Sequence, residues 1–251
     1  MRTLWVTFIL AIGTLVYAPP VIIARLIGVP DRENGIYEIA MRRWARMVVW
    51  AAGVTIRVRD ESGLPGGGAV YISNHVSWFD VFALAATLPR YSFVAKAELK
   101  RIPLFGPGAK AAGVVFLDRG NRKAAFKSYE TAAEEVHKGR AIVVFPEGTR
   151  GHDYHLRPFK KGPFVLAIAA QSPIVPTLVH GAREIMPKGS FRMRPGVIDV
   201  HFLPLVSTTG CDYEHRAELV ERVWREMADA MKAEYGVLTS EYPVATSSKD
   251  A

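Results

Sequence analysis

The sequence predicts an α/β domain, a mostly parallel or mixed central sheet flanked by helices, with two membrane-associating helices at the N-terminus. Three observations lead there. Short β-rich runs alternate with helical patterns from residue 54 onward, and runs such as Ala69-Val70-Tyr71-Ile72-Ser73 are apolar enough for a largely buried sheet. From Leu4 to Ala24, by contrast, there is no charged residue at all.

Roughly 20 apolar residues suffice to cross a bilayer. Pro19-Pro20 interrupts this stretch, and a proline inside a helix forfeits a hydrogen bond and clashes with the preceding turn. The expectation is a helix over Thr3 to Tyr17, a break, and a continuation to Leu26 that enters one leaflet and returns. Two other readings stay open, a straight span and a secretory signal ending near Val16-Tyr17-Ala18. The next segment, Ile36 to Ala52, mixes apolar positions with Arg42, Arg43, Arg46, Trp44 and Trp50. Such a helix can lie in the interface of an anionic membrane. Residues 1–53 therefore read as membrane-associating helices, 54–240 as one catalytic-size domain and 241–251 as a frayed tail.

Within the domain, strands are expected at Thr55 to Arg59, Ala69 to Ser73, Tyr91 to Ala95, Gly113 to Leu117, Ala141 to Phe145, Ile174 to His180 and Val197 to Leu203. Helices are expected at Phe79 to Leu88, Arg122 to Lys138, Gly162 to Gln171 and Asp212 to Tyr235. The formal net charge of +8 suits an anionic partner. No zinc-finger spacing, aromatic RNA-binding motif or basic zipper accompanies it, so nucleic acid is not the expected partner. The single Cys211 excludes an intramolecular disulfide and fits a reducing compartment.

The densest chemistry lies in Asn74-His75-Val76-Ser77-Trp78-Phe79-Asp80, where a strand runs into a helix. A His paired with an Asp can deprotonate a hydroxyl, the carboxylate holding the ring's tautomer. Within one continuous helix, residues five apart lie roughly 140° apart around the axis. His75 and Asp80 can meet only if His75 precedes the helix and Asp80 sits in its first turn. Ser77 as N-cap with Asp80 at N3 is a capping box, a role that needs no catalysis. Three later blocks carry further polar groups at strand ends: Lys96-Ala97-Glu98-Leu99 leading to Asp118-Arg119, Phe145-Pro146-Glu147-Gly148-Thr149-Arg150, and Val175-Pro176. His152 and His155 fall short of a metal cluster, so no metal is expected. His137, His180, His201 and His215 have no partner pattern in the sequence and take structural or solvent roles.

In this order and spacing the four blocks, with Phe159-Lys160-Lys161-Gly162 after the third, resemble the glycerolipid acyltransferase family, with the nearest likeness to bacterial 1-acylglycerol-3-phosphate acyltransferases. The resemblance spans roughly Ser73 to Pro176. It implies a glycerol-3-phosphate acyltransferase-like fold and transfer of a fatty acyl group from acyl-CoA or acyl carrier protein, as co-substrate and without a cofactor, to a lysophospholipid acceptor at a membrane lipid surface. It also implies His75 as general base and Asp80 as its orienting partner. Arg119 and Arg150, with Lys96 as a third, are then the cations for a substrate phosphate. Glu147, Gly148 and Thr149 border the acceptor, Glu147 holding the glycerol or bracing Arg150. The expected location is the inner membrane, with the catalytic domain on its cytoplasmic face. A lipid-binding protein that keeps the fold without the activity would have lost His75 or Asp80, and both are present. A Ser-His-Asp hydrolase would need a Gly-x-Ser-x-Gly elbow, and the chain has none.

Overall fold

Runs of β-branched and aromatic residues form the strands, and the segments between them pack as helices on both faces of one sheet. A computed structural model describes residues 1–63, 68–118, 120, 122–239 and 242. Along the chain come α1 (Arg2–Leu26), α2 (Ile36–Ala52), β1 (Val54–Asp60), β2 (Ala69–Ser73), α3 (Trp78–Thr87) and β3 (Tyr91–Lys96). A 3-10 turn (Ala97–Arg101), α4 (Phe105–Ala111), β4 (Val115–Leu117), α5 (Arg122–His137) and β5 (Ala141–Val144) follow. The chain continues through α6 (Gly162–Ala169), β6 (Ile174–His180), α7 (Ala182–Ile185), β7 (Gly196–Phe202) and α8 (Arg216–Tyr235). Of the expected tail, only Tyr242 lies among the described residues.

The sheet has the order β1-β7-β6-β2-β5-β3-β4. β2 pairs in parallel with both β5 and β6, and β3 pairs in parallel with β5 and β4. β7 runs antiparallel to β6 and carries β1 parallel to itself, so the sheet is mixed. Side chains alternate across it. Val70, Ile72, Ile142, Val144, Ile174 and Leu178 meet α5, α6 and α8 on one face. Tyr71, Phe93, Val143, Val175, Val179, Ile198 and Val200 meet α2, α3 and α7 on the other. Burial on both sides is why these strands read as continuous apolar runs. The adjacent strands β2 and β5 send their chains to opposite faces, through α3 and α6, the kind of switch point beyond whose carboxyl ends α/β sheets bind ligands.

At the N-terminus the structure corrects the expected break. α1 is helical without interruption through Pro19 and Pro20. The bonds those prolines forfeit are outweighed by packing: Ala18, Val21 and Ala24 are buried, and Gly108 of α4 approaches so closely that a Cβ there would lie 2.8 Å from that of Ala18. Both ends of α1 are tied to the domain. Arg2 donates to Ala52 O at 2.7 Å, Met193 N donates to Thr3 Oγ1 at 3.1 Å, and Arg25 donates to Ala111 O at 2.9 Å. Among the described residues α1 alone is long and apolar enough to cross a membrane, by length and composition. In α2 much of the apolar face is spent inside the protein, while Ile36, Ile39 and Trp50 stay exposed. Ala45, Val48, Val49 and Ala52 are buried; Arg42 pairs with Glu38, and Arg46 donates to Ala86 O at 3.1 Å.

Helix α4 and the 3-10 turn before it are not among the elements the sequence predicts. The helix forms there because its glycines fit where larger residues would clash; a Cβ at Gly106 would sit 2.1 Å from Lys100 O.

Ile142 is fully buried at the centre of the sheet. Ile142→Ala is expected to lower unfolding free energy by about 3 kcal/mol, the sum of lost transfer energy and a cavity. Chemical denaturation of the detergent-solubilised chain measures it, and a loss under ~1 kcal/mol would mean that the surrounding core collapses into the space.

Candidate active site

Strand β2 ends at Ser73, and the following residues turn sharply into α3. Asn74 makes the turn rigid. Fully enclosed, it donates through Nδ2 to Val179 O at 2.9 Å and accepts from Val179 N at 2.8 Å, so the end of β2 is stitched to the end of β6. Helix α3 starts at Trp78, which leaves His75 ahead of the helix and places Asp80 in its first turn. The bend required by the five-residue spacing is present: His75 Nδ1 lies 2.8 Å from Asp80 Oδ2.

That one oxygen also accepts from Val76 N at 2.7 Å and Ser77 N at 2.8 Å. Ser77 Oγ in turn accepts from Phe79 N at 3.1 Å and donates to Met186 O at 2.7 Å, completing a capping box. The cap and the His pair are therefore one structure. A carboxylate oxygen only accepts, so the ring nitrogen that faces it is the donor. The proton of the neutral imidazole therefore sits on Nδ1, and Nε2 keeps its lone pair. Asp80 is entirely buried, whereas the His75 side chain retains 14% exposure, so the ring is the end of the pair that meets solvent.

The backbone of His75 is gripped from the third block. Its N–H donates to Glu147 Oε1 at 2.9 Å, and its carbonyl accepts from Gly151 N at 2.6 Å. Phe145 stacks on the imidazole, with ring centres 4.0 Å apart. Glu147 Oε2 accepts from Arg157 Nε at 2.8 Å, and Arg157 also donates to Thr149 O. Burial raises the Glu147 pKa above the usual glutamate range, opposed by Arg157 and by the His75 N–H. The expectation that Glu147 braces Arg150 is thus corrected: its partner is Arg157. Arg157 escaped sequence reasoning because it lies in a loop, ten residues on, with no periodic pattern; its only signal was its position two residues before Phe159-Lys160-Lys161-Gly162.

Gly148 turns the chain with a φ of +77°, a conformation that suits glycine. Thr149 is exposed beyond it. Arg150 reaches back over the Trp78 ring, 5.1 Å from its centre, and no carboxylate among the described residues lies within ion-pair distance of it. Lys96 ends β3 at the same edge of the sheet but is exposed and paired with Glu98 at 3.0 Å. Arg119 lies outside the described residues.

The other histidines, which show no partner pattern in the sequence, have partners in the fold. His180 is stacked between Tyr154 and Tyr235, at 4.4 and 4.3 Å, and burial lowers its pKa. His201 meets Glu61 at 3.2 Å, His215 meets Asp212 at 2.7 Å, and His137 meets Ala170 O at 2.9 Å. Among the described residues no group of three or more His, Cys, Asp or Glu side chains is placed to hold a metal ion.

Fold and site together define an α/β chain that presents, at the carboxyl edge of parallel strands, a His–Asp pair and an Arg with no ion-pair partner among the described residues. A family model described as Acyltransferase matches residues 55–180. The chain belongs to the acyltransferase family. A 1-acyl-sn-glycerol-3-phosphate acyltransferase of Limnanthes douglasii is 37% identical over 164 residues, which are 64% of this chain and 58% of that one. One of Pseudomonas aeruginosa is 30% identical over 200 residues, 78% of this chain and 77% of its own. The chain thus spans less than two thirds of the plant relative's length. The crystal structure of the 1-acyl-sn-glycerophosphate acyltransferase PlsC from Thermotoga maritima superposes with a TM-score of 0.76 at 24% identity, covering 93% of this chain and 96% of that chain, and so shares the fold.

The raised pKa of Glu147 gives a signed prediction. A glutamate whose folded pKa lies above its unfolded one contributes stability while protonated, and that contribution is lost as pH rises from about 4.5 through the folded value. Glu147→Gln keeps the shape of the protonated form without titrating. The melting temperature of the wild type minus that of E147Q is expected to fall across that window and level off above it. Thermal scans in one detergent from about pH 4 to about pH 8 provide the measurement, and a difference that rises with pH would reverse the assignment.

Proposed function

We propose that the chain moves a fatty acyl group from acyl-CoA or acyl carrier protein to the free sn-2 hydroxyl of 1-acylglycerol-3-phosphate, giving phosphatidic acid for phospholipid synthesis. The observation that carries this reading is the His75–Asp80 contact, which commits Nδ1 to Asp80 and leaves Nε2 as a base at the open edge of the sheet. The names of the relatives support the same acceptor.

In the proposed reaction His75 Nε2 takes the proton of the acceptor hydroxyl as its oxygen bonds to the thioester carbonyl carbon. Asp80 stabilises the imidazolium that forms. The tetrahedral adduct collapses, the C–S bond breaks with its electron pair going to sulfur, and the thiolate takes up the proton from the His75 imidazolium, which restores the neutral base. A thiolate is a good leaving group, so neither a covalent acyl-enzyme nor a cofactor is needed. Arg150, with no carboxylate among the described residues in ion-pair range, serves the acceptor phosphate by paired hydrogen bonds. Arg119 is proposed for the same role. Lys96, already paired with Glu98, contributes charge rather than contact. Gly148 and Thr149 border the acceptor, and Glu147 acts by holding the His75 backbone.

For the membrane, the proposed arrangement has α1 in one leaflet. A helix crossing the bilayer would separate its ends by roughly 30 Å of hydrocarbon. Both ends of α1 bind the same globular domain, which favours a helix lying along the interface. The domain is proposed to face the cytoplasm, where both acyl carriers are found.

Purified protein in detergent, assayed with acyl-CoA or acyl carrier protein against a panel of lysophospholipids and glycerol-3-phosphate, tests the acceptor. Turnover of another acceptor and none of 1-acylglycerol-3-phosphate would overturn it. His75→Ala is expected to lower kcat by about 10²- to 10⁴-fold with acceptor affinity retained; near-normal turnover would remove His75 as the base. Arg150→Ala is expected to raise KM for phosphorylated acceptors, by roughly 10-fold for one lost charge-assisted contact, and to leave a non-phosphorylated acceptor unaffected.

A further inference from the structure

We infer that the loop from Pro187 to Pro195, between α7 and β7, is a second membrane-contacting element that inserts Phe191 into an anionic lipid surface. The inference rests on the proposed lipid acceptor and goes beyond the N-terminal helices. Phe191 is 82% exposed, more than any other large hydrophobic residue among the described ones except Met1. Yet it is not on a loose strand of chain. Ser190 N donates to Pro187 O at 3.1 Å, Arg192 N donates to Ser190 Oγ at 3.0 Å, and Arg194 N donates to Ile185 O at 3.0 Å. A phenylalanine held out in water by an ordered loop costs hydrophobic free energy unless something apolar receives it.

Charge indicates the receiver. The loop carries Lys188, Arg192 and Arg194 and no acidic residue, and the two arginines are exposed. An aromatic tip flanked by cations matches an anionic membrane interface, where rings settle at headgroup depth and Arg binds phosphate.

Location supplies a third argument. Met193 N donates to Thr3 Oγ1, joining the loop to the start of α1. There Trp5 and Trp50, 45% and 68% exposed, meet edge to face at 6.4 Å. β7 runs antiparallel to β6 and begins beyond His180, so this loop leaves the carboxyl edge of the sheet, the edge at which β2 delivers His75. Trp5, Trp50 and Phe191 therefore gather at the end of the domain where the site opens. A lipid drawn from the surface they touch would enter at His75 without leaving the interface.

The test uses the full chain with Cys211→Ser and a single cysteine carrying an environment-sensitive fluorophore, either at Phe191 (F191C) or on α1 at Phe8 (F8C). Vesicles are phosphatidylcholine alone or with about 30% phosphatidylglycerol. The label at 191 is expected to shift to the blue on anionic vesicles. Arg192→Ser with Arg194→Ser is expected to weaken vesicle partition on the order of 10-fold. Phe191→Ser should slow acyl transfer several-fold on vesicle-borne acceptor and leave the rate on micellar acceptor unchanged. If the label at position 8 shifts and that at 191 does not, the loop proposal falls and the proposed activity stands. If neither shifts while micellar activity persists, the membrane reading of α1 falls together with it.

Discussion

One carboxylate oxygen, Asp80 Oδ2, organises the site. It binds the imidazole of His75 and two backbone N–H groups at the start of α3, all within 2.8 Å. The helix needs an anion at that point to satisfy its free donors, and the imidazole needs one to set its tautomer. One buried carboxylate meets both needs. The same constraint explains why the rival readings of this segment converge. Any backbone that seats the cap also seats the histidine.

The sheet makes this arrangement reproducible. β2 lies between β5 and β6 in parallel register, and each neighbour extends past its last ladder bond to hold the turn after β2. From β6 comes Val179, clasping Asn74 on both of its polar atoms. From β5 come Phe145, Glu147 and Gly151, which stack on the His75 ring and bind its N–H and carbonyl. The third block thereby positions the first. Arg157 stands behind it, neutralising the buried Glu147 and restraining the carbonyl of Thr149.

The surface of the domain continues the same geometry. Because the parallel strands share one carboxyl edge, the loops that leave it share a neighbourhood, and the antiparallel return of β7 brings the start of α1 and the end of α2 there too. Trp5 meets Trp50, and the loop of Phe191 meets Thr3, for this reason, although they are far apart in the chain. Topology, rather than any local motif, gathers apolar and basic groups around the mouth of the site.

Much was legible in the sequence. Residues 69–73 and 174–180 are buried on both faces and carry an unbroken apolar signal, so their strands emerged with the right bounds. The His75–Asp80 spacing itself required a helix start between the two. What the sequence could not carry were effects of neighbours distant in the chain. Pro19-Pro20 read as a break, and packing of α1 on α2 and α4 overrode it; α4 was not predicted, and Gly106 and Gly108 fit there where a Cβ would clash. Of the basic fringe Arg42, Arg43 and Arg46, the first pairs with Glu38 and the last donates to Ala86 O, contacts no local pattern announced. Arg157 had no periodicity to reveal it. Local chemistry decided which residues could do the work, because capping, strand propensity and the pairing of an imidazole with a carboxylate act over a few residues. Only the tertiary structure decided which of them meet, since a hydrogen bond depends on position in space and the sheet brings together residues 72 positions apart, such as His75 and Glu147.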